Sequence, residues 1–333
     1  MSTIEPRSTK VAIKLDRVWH IARFVAATSV STTLVTLFAQ YHWLADLLAN
    51  LRVQQCLVLL AVLLTCLVFR KWAWFALTLA CLAIHLPSFK PALSEASNRR
   101  PATELMKITT ANVLTQNQRH QDILTDVLSR DPDVLVILEL SHSLAEALES
   151  QVRSTYPHSI VRPMDSGNFG IGLYSRHPLV DADVFALNTE IESIAATIQI
   201  KGNPCHVIAT HPLPPIGARG YRLRNEHLQQ LAAKIRNAID NSPETPVVLL
   251  GDLNLTPWSP HFAMFESDSG LRRAFDRPSV TPTWYRYPLF PFGLMLDHAM
   301  ISDNLSCTSH AVGPEIGSDH RSVTVEIAMV DQS

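Results

Sequence analysis

The chain has 333 residues, of which 47% are hydrophobic and 17% charged, and its formal net charge is −2. A charge so close to zero excludes a chain-wide basic field, the feature that non-specific binding of nucleic acid needs. The mean hydropathy of +0.10 is high for a soluble enzyme, and the excess lies before residue 90. The remainder, from residue 105 onward, is roughly 230 residues long, which is enough for one α/β domain with its own core.

Five cysteines are present and none forms a Cys-x-x-Cys pair. Cys56, Cys66 and Cys81 lie in apolar stretches, where we expect them to be small core residues. Cys205 and Cys307 lie in the polar part of the chain. The sequence is compatible with a disulfide between them or with two reduced thiols, and it favours the thiols.

The amino-terminal third contains three apolar runs, at 24–39, 56–69 and 72–86. Each is a little shorter than the roughly 20 residues that span a bilayer, and the flanking residues bring each close to that length. The alternative is the buried helical bundle of a soluble protein. The run 56–69 has no hydrophilic face at helical spacing, which favours membrane insertion over a soluble bundle. We therefore predict a transmembrane region of three helices over 21–87.

The basic residues predict the orientation of these spans. Positive charge flanks the first span and separates the second from the third, at Lys10, Lys14, Arg17, Arg23, Arg70 and Lys71. The positive-inside rule then places residues 1–20 in the cytoplasm and, with three spans, everything after Pro87 on the periplasmic or extracellular side. Residues 88–104 are rich in Ser, Pro, Ala and Asn and are predicted to be a linker. The runs contain no buried acid or base of a transport path, so a transporter is disfavoured.

The domain predicted over 105–333 begins with a strand at 105–110, which Asn112 follows. Asn112 is equally suited to capping the next segment. An amphipathic helix is predicted over 119–129. The buried strand 134–138 is followed directly by Glu139, whose carboxylate is costly in that position unless it is paired, bound to metal or solvated at the strand end.

Several further strands are predicted, at 171–175 within a glycine-spaced segment, at 194–200 and at 206–209, after which comes His211. The helix predicted over 219–237 begins with Arg219, Arg222 and Arg224. These arginines are suited to a phosphate, but a solvated basic face is the favoured interpretation.

The buried strand 247–250 leads into Gly251-Asp252-Leu253-Asn254. In an extended chain, residues two apart point to the same side, so Asp252 and Asn254 present two oxygen ligands together. Hard divalent cations such as Mg²⁺ prefer such ligands, although an ordinary turn uses the same residues. A strand at 296–301 carries Asp297, and Ser318-Asp319-His320-Arg321 precedes the terminal strand 323–328.

Eight polar residues thus lie at or beside predicted strand ends: Asn112, Glu139, His211, Asp252, Asn254, Asp297, Asp319 and His320. On this pattern, the segment from 105 to 328 resembles the endonuclease/exonuclease/phosphatase superfamily, whose fold is that of pancreatic deoxyribonuclease, in a membrane-anchored bacterial type. The most specific parts are Gly-Asp-Leu-Asn and Ser-Asp-His-Arg. The resemblance implies an α/β fold with two packed β-sheets flanked by helices, a four-layer sandwich, and metal-dependent cleavage of phosphate esters.

The resemblance also implies residue roles. Glu139, with Asn112, Asp319 and Asp252, matches the site for Mg²⁺, or alternatively Mn²⁺. Asp252 and Asn254 match the pair that orients the nucleophile and contacts the phosphate, and His211 matches a histidine on the scissile phosphate. His320 matches the general base, and Asp297 the carboxylate that holds it. Leu138 stands where the family usually has glutamine, and we assign no counterpart to the tyrosine that the family's nucleases use.

The sequence therefore predicts a phosphate-ester hydrolase attached to a bacterial cell membrane. Its partners are the lipid bilayer and a phosphate ester, which is a lipid head group, a small phosphoester or nucleic acid. No protein partner is implied. The alternative is a catalytically inactive scaffold module of the same fold.

Overall fold

A computed structural model describes residues 7–90, 101–200, 202–274, 279–286 and 292–330. The chain divides into two compact units, Met1–Lys90 and Pro91–Ser333. Residues 91–100 of the predicted linker lie outside the described residues. The first strand of the second unit begins at Pro101, ahead of the predicted domain start at 105, because the polar Glu104 and neighbouring residues pair with the terminal strand.

The first unit consists of the helices α1 (Arg7–Thr36), α2 (Trp43–Asn50), α3 (Arg52–Val68) and α4 (Trp72–His85), and of a 3₁₀ helix (Leu86–Phe89). Among the described residues, one continuous helical segment, Trp72–Phe89, is long and apolar enough to cross a membrane. Helices α2 and α3 meet this criterion only together, with a bend of 67° between them. Three membrane spans remain a prediction.

A small polar network lies inside the first unit, and it contradicts the expectation that the apolar runs hold no buried base. His85 is fully buried, and Arg52 is 6% exposed. An Arg52 guanidinium N–H lies 3.2 Å from His85 Nδ1, and His85 Nε2 lies 3.0 Å from Thr33 Oγ1. Because Arg52 begins α3 and His85 ends α4, the sequence shows them at the margins of apolar runs, and only packing brings them together.

The second unit contains two six-stranded sheets. Their strands, in chain order, are β1 (Pro101–Asn112), β2 (Val134–Leu138), β3 (His158–Arg162), β4 (Ile171–Ser175), β5 (Leu179–Ala186), β6 (Glu192–Ile200), β7 (Asn203–Thr210), β8 (Val247–Asp252), β9 (Arg272–Arg273), β10 (Asp297–Ile301), β11 (Leu305–Val312) and β12 (Val323–Val330). The first sheet has the order β11-β12-β1-β2-β4-β3, and the second has the order β5-β6-β7-β8-β10-β9.

Each sheet has one parallel pair of strands at its centre. In the first sheet, β1 runs parallel to β2 and pairs Asn112 with Leu138. In the second sheet, β7 runs parallel to β8 and pairs Thr210 with Gly251. A helix connects the strands of each pair, α5 (His120–Ser129) in the first and α7 (Gly217–Asn241) in the second. Because parallel strands end at the same sheet edge, the residues that follow them are brought together.

Three apolar layers confirm the predicted four-layer sandwich. The inner faces of both sheets bury branched residues against each other, including Val136, Leu138, Val207 and Leu250. The outer face of the first sheet packs on α5 and on α6 (His142–Val152). The outer face of the second sheet packs on α7 and on α8 (Pro260–Ser269). Cys205 and Cys307 are buried, and neither forms a disulfide.

Candidate active site

The parallel strand pair of the first sheet ends in Asn112 and Glu139. Glu139 has a φ of 58°, a left-handed conformation that turns the chain sharply away from β2. Asn112 Nδ2 donates to Glu139 Oε1 at 3.0 Å, and the Thr115 backbone N–H donates to Glu139 Oε2 at 3.3 Å. Burial raises the pKa of the Glu139 carboxyl, and these neutral donors and the charge of His211 offset this only in part.

The parallel pair of the second sheet ends in His211 and Asp252, both buried. His211 Nε2 lies 3.4 Å from Asp252 Oδ2, and His320 Nε2 lies 3.6 Å from the same oxygen. Burial alone would raise the pKa of Asp252, but the charges of His320 and His211 hold that pKa at about 2. In return, Asp252 raises the pKa of His211, against the opposing effect of burial. Asp252 is therefore ionised at neutral pH.

Asn254 follows on a tight turn after β8. Its φ is 53°, and its backbone N–H donates to Asp252 Oδ1 at 2.9 Å. Its side-chain Nδ2 donates to the Pro212 carbonyl at 3.0 Å, directly beyond His211. Asp252 and Asn254 thus lie together, but a turn and not an extended chain holds Asn254, so the alternation expected for a strand does not apply there.

A second group comprises Asp297 and His320. Asp297 begins β10 opposite Asp252, and its Oδ2 lies 2.8 Å from His320 Nδ1. The Thr283 hydroxyl donates to the same Asp297 oxygen at 2.6 Å. Burial would lower the pKa of His320, but Asp297 and Asp252 together raise it to about 10. His320 is therefore held between two carboxylates, one at each ring nitrogen.

One contact joins the ends of the two sheets, and a serine links Asn112 to the segment that carries His320. Asn112 Nδ2 also lies 3.2 Å from Asp252 Oδ2, so one amide touches the carboxylates of both sheets. The Ser318 hydroxyl donates to the Asn112 carbonyl at 2.8 Å and accepts the His320 backbone N–H at 3.0 Å. Seven of the eight predicted residues therefore form one cluster, linked by contacts between neighbours.

Asp319, the eighth residue, is placed differently. Its Oδ2 accepts the Trp284 indole N–H at 2.9 Å, and the side chain is half-buried beside the cluster. Residues 287–291, which follow Trp284 in an aromatic and proline-rich stretch, lie outside the described residues. The predicted role of Asp319 at a metal stays a prediction.

Several supporting residues were not predicted: Thr115, Phe169, Thr283 and Ser318. The Phe169 ring lies 5.4 Å from the His211 ring, measured between centroids. Ser318 had a readable signal, since a serine two residues before a histidine commonly caps a local turn. Thr283 had none, because 14 residues separate it from Asp297.

The donor chemistry fits a divalent cation near Glu139. Within the described part of the chain, the Glu139 carboxylate contacts only neutral donors, whereas a protonated His320 already supplies a positive charge to Asp252 and Asp297. Ligand atoms of Asp252, Asp297 and His320 also lie within 4.8 Å of one another. Glu139 and Asp252 offer the carboxylate oxygens that Mg²⁺ prefers, and Asn112 contacts both of them through its amide nitrogen. Burial raises the pKa of Glu139, and a bound cation would oppose that shift.

A family model supplies the assignment. Residues 109–320 match the Endonuclease/Exonuclease/phosphatase family. The chain belongs to this family. Its members are metal-dependent enzymes that hydrolyse phosphate esters, nucleases among them. No curated protein matches the chain significantly.

Solved structures show the same fold. The human Nocturnin catalytic domain, with a bound sulfate anion, is 20% identical at a TM-score of 0.57, over 70% of this chain and 97% of that one. Sphingomyelinase C from Streptomyces griseocarneus is 17% identical at a TM-score of 0.54, over 67% of this chain and 99% of that one. A beta toxin variant from Staphylococcus aureus, with bound magnesium ions, is 17% identical at a TM-score of 0.51, over 67% of this chain and 99% of that one. At these identities the likeness concerns the fold alone.

Proposed function

We propose that this chain is a membrane-anchored, divalent-metal-dependent hydrolase of phosphate esters in which His320 is the general base and Asp297 holds it. The observation that carries this proposal is the buried row Thr283–Asp297–His320, which ends beside Asp252. A carboxylate behind a histidine selects the tautomer whose other nitrogen faces the reaction, and a hydroxyl on that carboxylate fixes its rotamer.

The proton on His320 sets a condition for this mechanism. Because two carboxylates hold its pKa at about 10, His320 is protonated at neutral pH unless more positive charge lies beside Asp252. A divalent cation bound by Glu139 and Asp252, with Mg²⁺ or Mn²⁺ as candidates, would supply that charge and neutralise the anionic ester. In this mechanism His320 would take a proton from the attacking water and Asp252 would orient that water. Asn254 and His211 would contact the phosphate oxygens.

The proposal places the enzyme in a bacterial cell membrane, with the second unit on the periplasmic or extracellular side. It is supported by the apolar segment Trp72–Phe89 and by the position of Arg70 and Lys71 between α3 and α4. The substrate is a lipid head group, a small phosphoester or nucleic acid. The sphingomyelinase fold neighbour and the proposed anchor both favour testing lipids first.

The test is hydrolysis by the full chain in detergent, assayed with Mg²⁺, Mn²⁺ or EDTA. The panel contains sphingomyelin, glycerophospholipids, inositol phosphates, plasmid DNA and RNA. We expect metal-dependent turnover of one class, and a loss of about 10²- to 10⁴-fold in His320→Ala, since general bases contribute that much. The matched control is His158→Ala, at the far end of β3, where activity should be unchanged.

Two results would contradict the proposal. Full activity of His320→Ala would show that His320 is not the general base. A folded wild type without turnover of any of these substrates would favour the inactive scaffold module.

A further inference from the structure

Arg224 is the largest side chain that is fully buried in the described structure. It lies in the second turn of α7, on the second sheet. The other arginines near the start of this helix, Arg219 and Arg222, are exposed, as the predicted solvated basic face requires. Arg224 departs from that prediction. A buried guanidinium is costly unless hydrogen bonds compensate it, so its partners show what its burial achieves.

The hydrogen bonds of Arg224 include one to the turn that carries Asn254. One terminal N–H group donates to the Asn254 carbonyl at 2.9 Å. The Nε–H group donates to the side chain of Asn225 at 2.7 Å, and the guanidinium carbon lies 5.9 Å from the centroid of the Tyr221 ring. The guanidinium is thereby fixed within its own helix and presents a further donor to the turn that follows β8.

The turn depends on such support because Asn254 adopts a left-handed conformation, with a φ of 53°. Non-glycine residues hold this conformation only where their surroundings determine it. Its backbone N–H is bound by Asp252 and its side chain by the Pro212 carbonyl. The bond from Arg224 to the Asn254 carbonyl is the third contact, and it is the one that comes from outside the strand ends. It ties α7 to the orientation of the Asn254 peptide.

We propose that Arg224 is a positioning residue of the active site, which holds the Asn254 amide in the orientation that contacts the phosphate. The expected effect on kcat rests on the proposed function. The expected effect on the stability of the turn at 252–256 can be measured without any enzymatic activity. A planar guanidinium satisfies Asn225 and Asn254 at once, whereas the single ammonium of a lysine cannot match both directions.

The variants are Arg224→Met, which keeps a similar volume without donors, and Arg224→Lys. The matched control is Arg222→Met, on the exposed face of the same helix. In the full chain, hydrogen exchange of the backbone amides at 252–256 should become about 10-fold faster in Arg224→Met, while exchange over 226–240 stays unchanged. Unchanged exchange at 252–256 would overturn the proposal whether or not any substrate is cleaved. Faster exchange along the whole helix would overturn it as well, because it would mean a general packing role.

The kinetic test is a double-mutant cycle with Asn254→Gly, since glycine tolerates the left-handed φ and removes the amide. With the substrate class found for the wild type, Arg224→Met should lower kcat about 10- to 100-fold with little change in KM. In the Asn254→Gly background, the same substitution should lower kcat less than about 3-fold, because the group that it positions is absent. Equal losses in both backgrounds would overturn the proposal. Absence of turnover in the wild type would count against the proposed function alone, and the exchange measurement would still decide on Arg224.

Discussion

The two sheets of the second unit are built alike at their centres but differ in electrostatics. Each has a parallel strand pair connected by a helix, followed by an antiparallel strand, and each pair ends in two polar residues at the shared edge. In the first sheet these are Asn112 and Glu139, and burial raises the pKa of Glu139. In the second they are His211 and Asp252, and two histidines hold the pKa of Asp252 at about 2.

This difference shows that similar topology can produce opposite kinds of site. The carboxylate of the second sheet is already neutralised by the protein's own cations. The carboxylate of the first sheet accepts its hydrogen bonds from neutral donors, and the charges of His211 and His320 offset its burial only in part. A bound cation would therefore stabilise its ionised form. We therefore expect a cation to bind chiefly at Glu139, and proton transfer and phosphate contact to take place around Asp252.

The largest effect is expected for Asp252→Asn. This substitution removes the charge that both histidines face while it preserves shape, so we expect kcat/KM to fall about 10³-fold at saturating Mg²⁺. Glu244→Gln, on the loop before β8, is the control and should leave kcat/KM unchanged. A loss of less than about 10-fold in Asp252→Asn would mean that the second sheet does not carry the chemistry.

A smaller effect, on stability, is expected for Glu139→Gln. Because the folded-state pKa of Glu139 is raised above its ordinary value of 4.5, the folded chain binds more protons than the unfolded chain between those two values. In EDTA, wild-type stability should therefore fall as the pH rises through this window, and the variant should lack that fall. Above it, the metal-free variant should be more stable than the wild type.

Added Mg²⁺ should reverse this order. At a concentration about 100 times its dissociation constant it stabilises a specific site by about 2.7 kcal/mol, or several degrees in Tm. The wild type should gain this amount and Glu139→Gln little of it, while Glu149→Gln, on exposed α6, should behave as the wild type. Equal gains in all three proteins would place the cation elsewhere.

The smallest effect is expected for Thr283→Val, which removes the hydroxyl on Asp297 while it retains shape. The hydroxyl also accepts hydrogen bonds from the backbone N–H groups of Leu296 and Asp297, and the loss of these contacts should lower kcat about 10-fold. The acidic limb of the pH–rate profile should shift, because Asp297 sets the pKa of His320. Thr324→Val is the control, since its hydroxyl is also buried but pairs with the Thr109 hydroxyl and not with a carboxylate. An unchanged pH–rate profile in Thr283→Val would mean that Thr283 does not act on His320 through Asp297.

The sequence predicted inner strands better than edge strands. The eight strands that pair with a neighbour on both sides were all predicted from apolar runs or from alternating apolar residues. They carry these patterns because the other sheet covers one of their faces and the helices cover the other. The four edge strands β3, β5, β9 and β11 were not predicted. The reason is visible in β5, whose residues Asp181 and Asp183 face solvent and leave no apolar pattern.

By itself, the sequence determined which polar residues lie at or beside strand ends, and thereby seven members of the cluster, because polar residues beside buried strands are few and their position is local information. Only the tertiary structure decided what each of them touches. The raised pKa of Glu139, the place of His320 between two carboxylates, and the burial of Arg224 all depend on contacts between residues far apart in the chain. Burial and charge pairing are properties of such long-range packing, and no local pattern of residues encodes them.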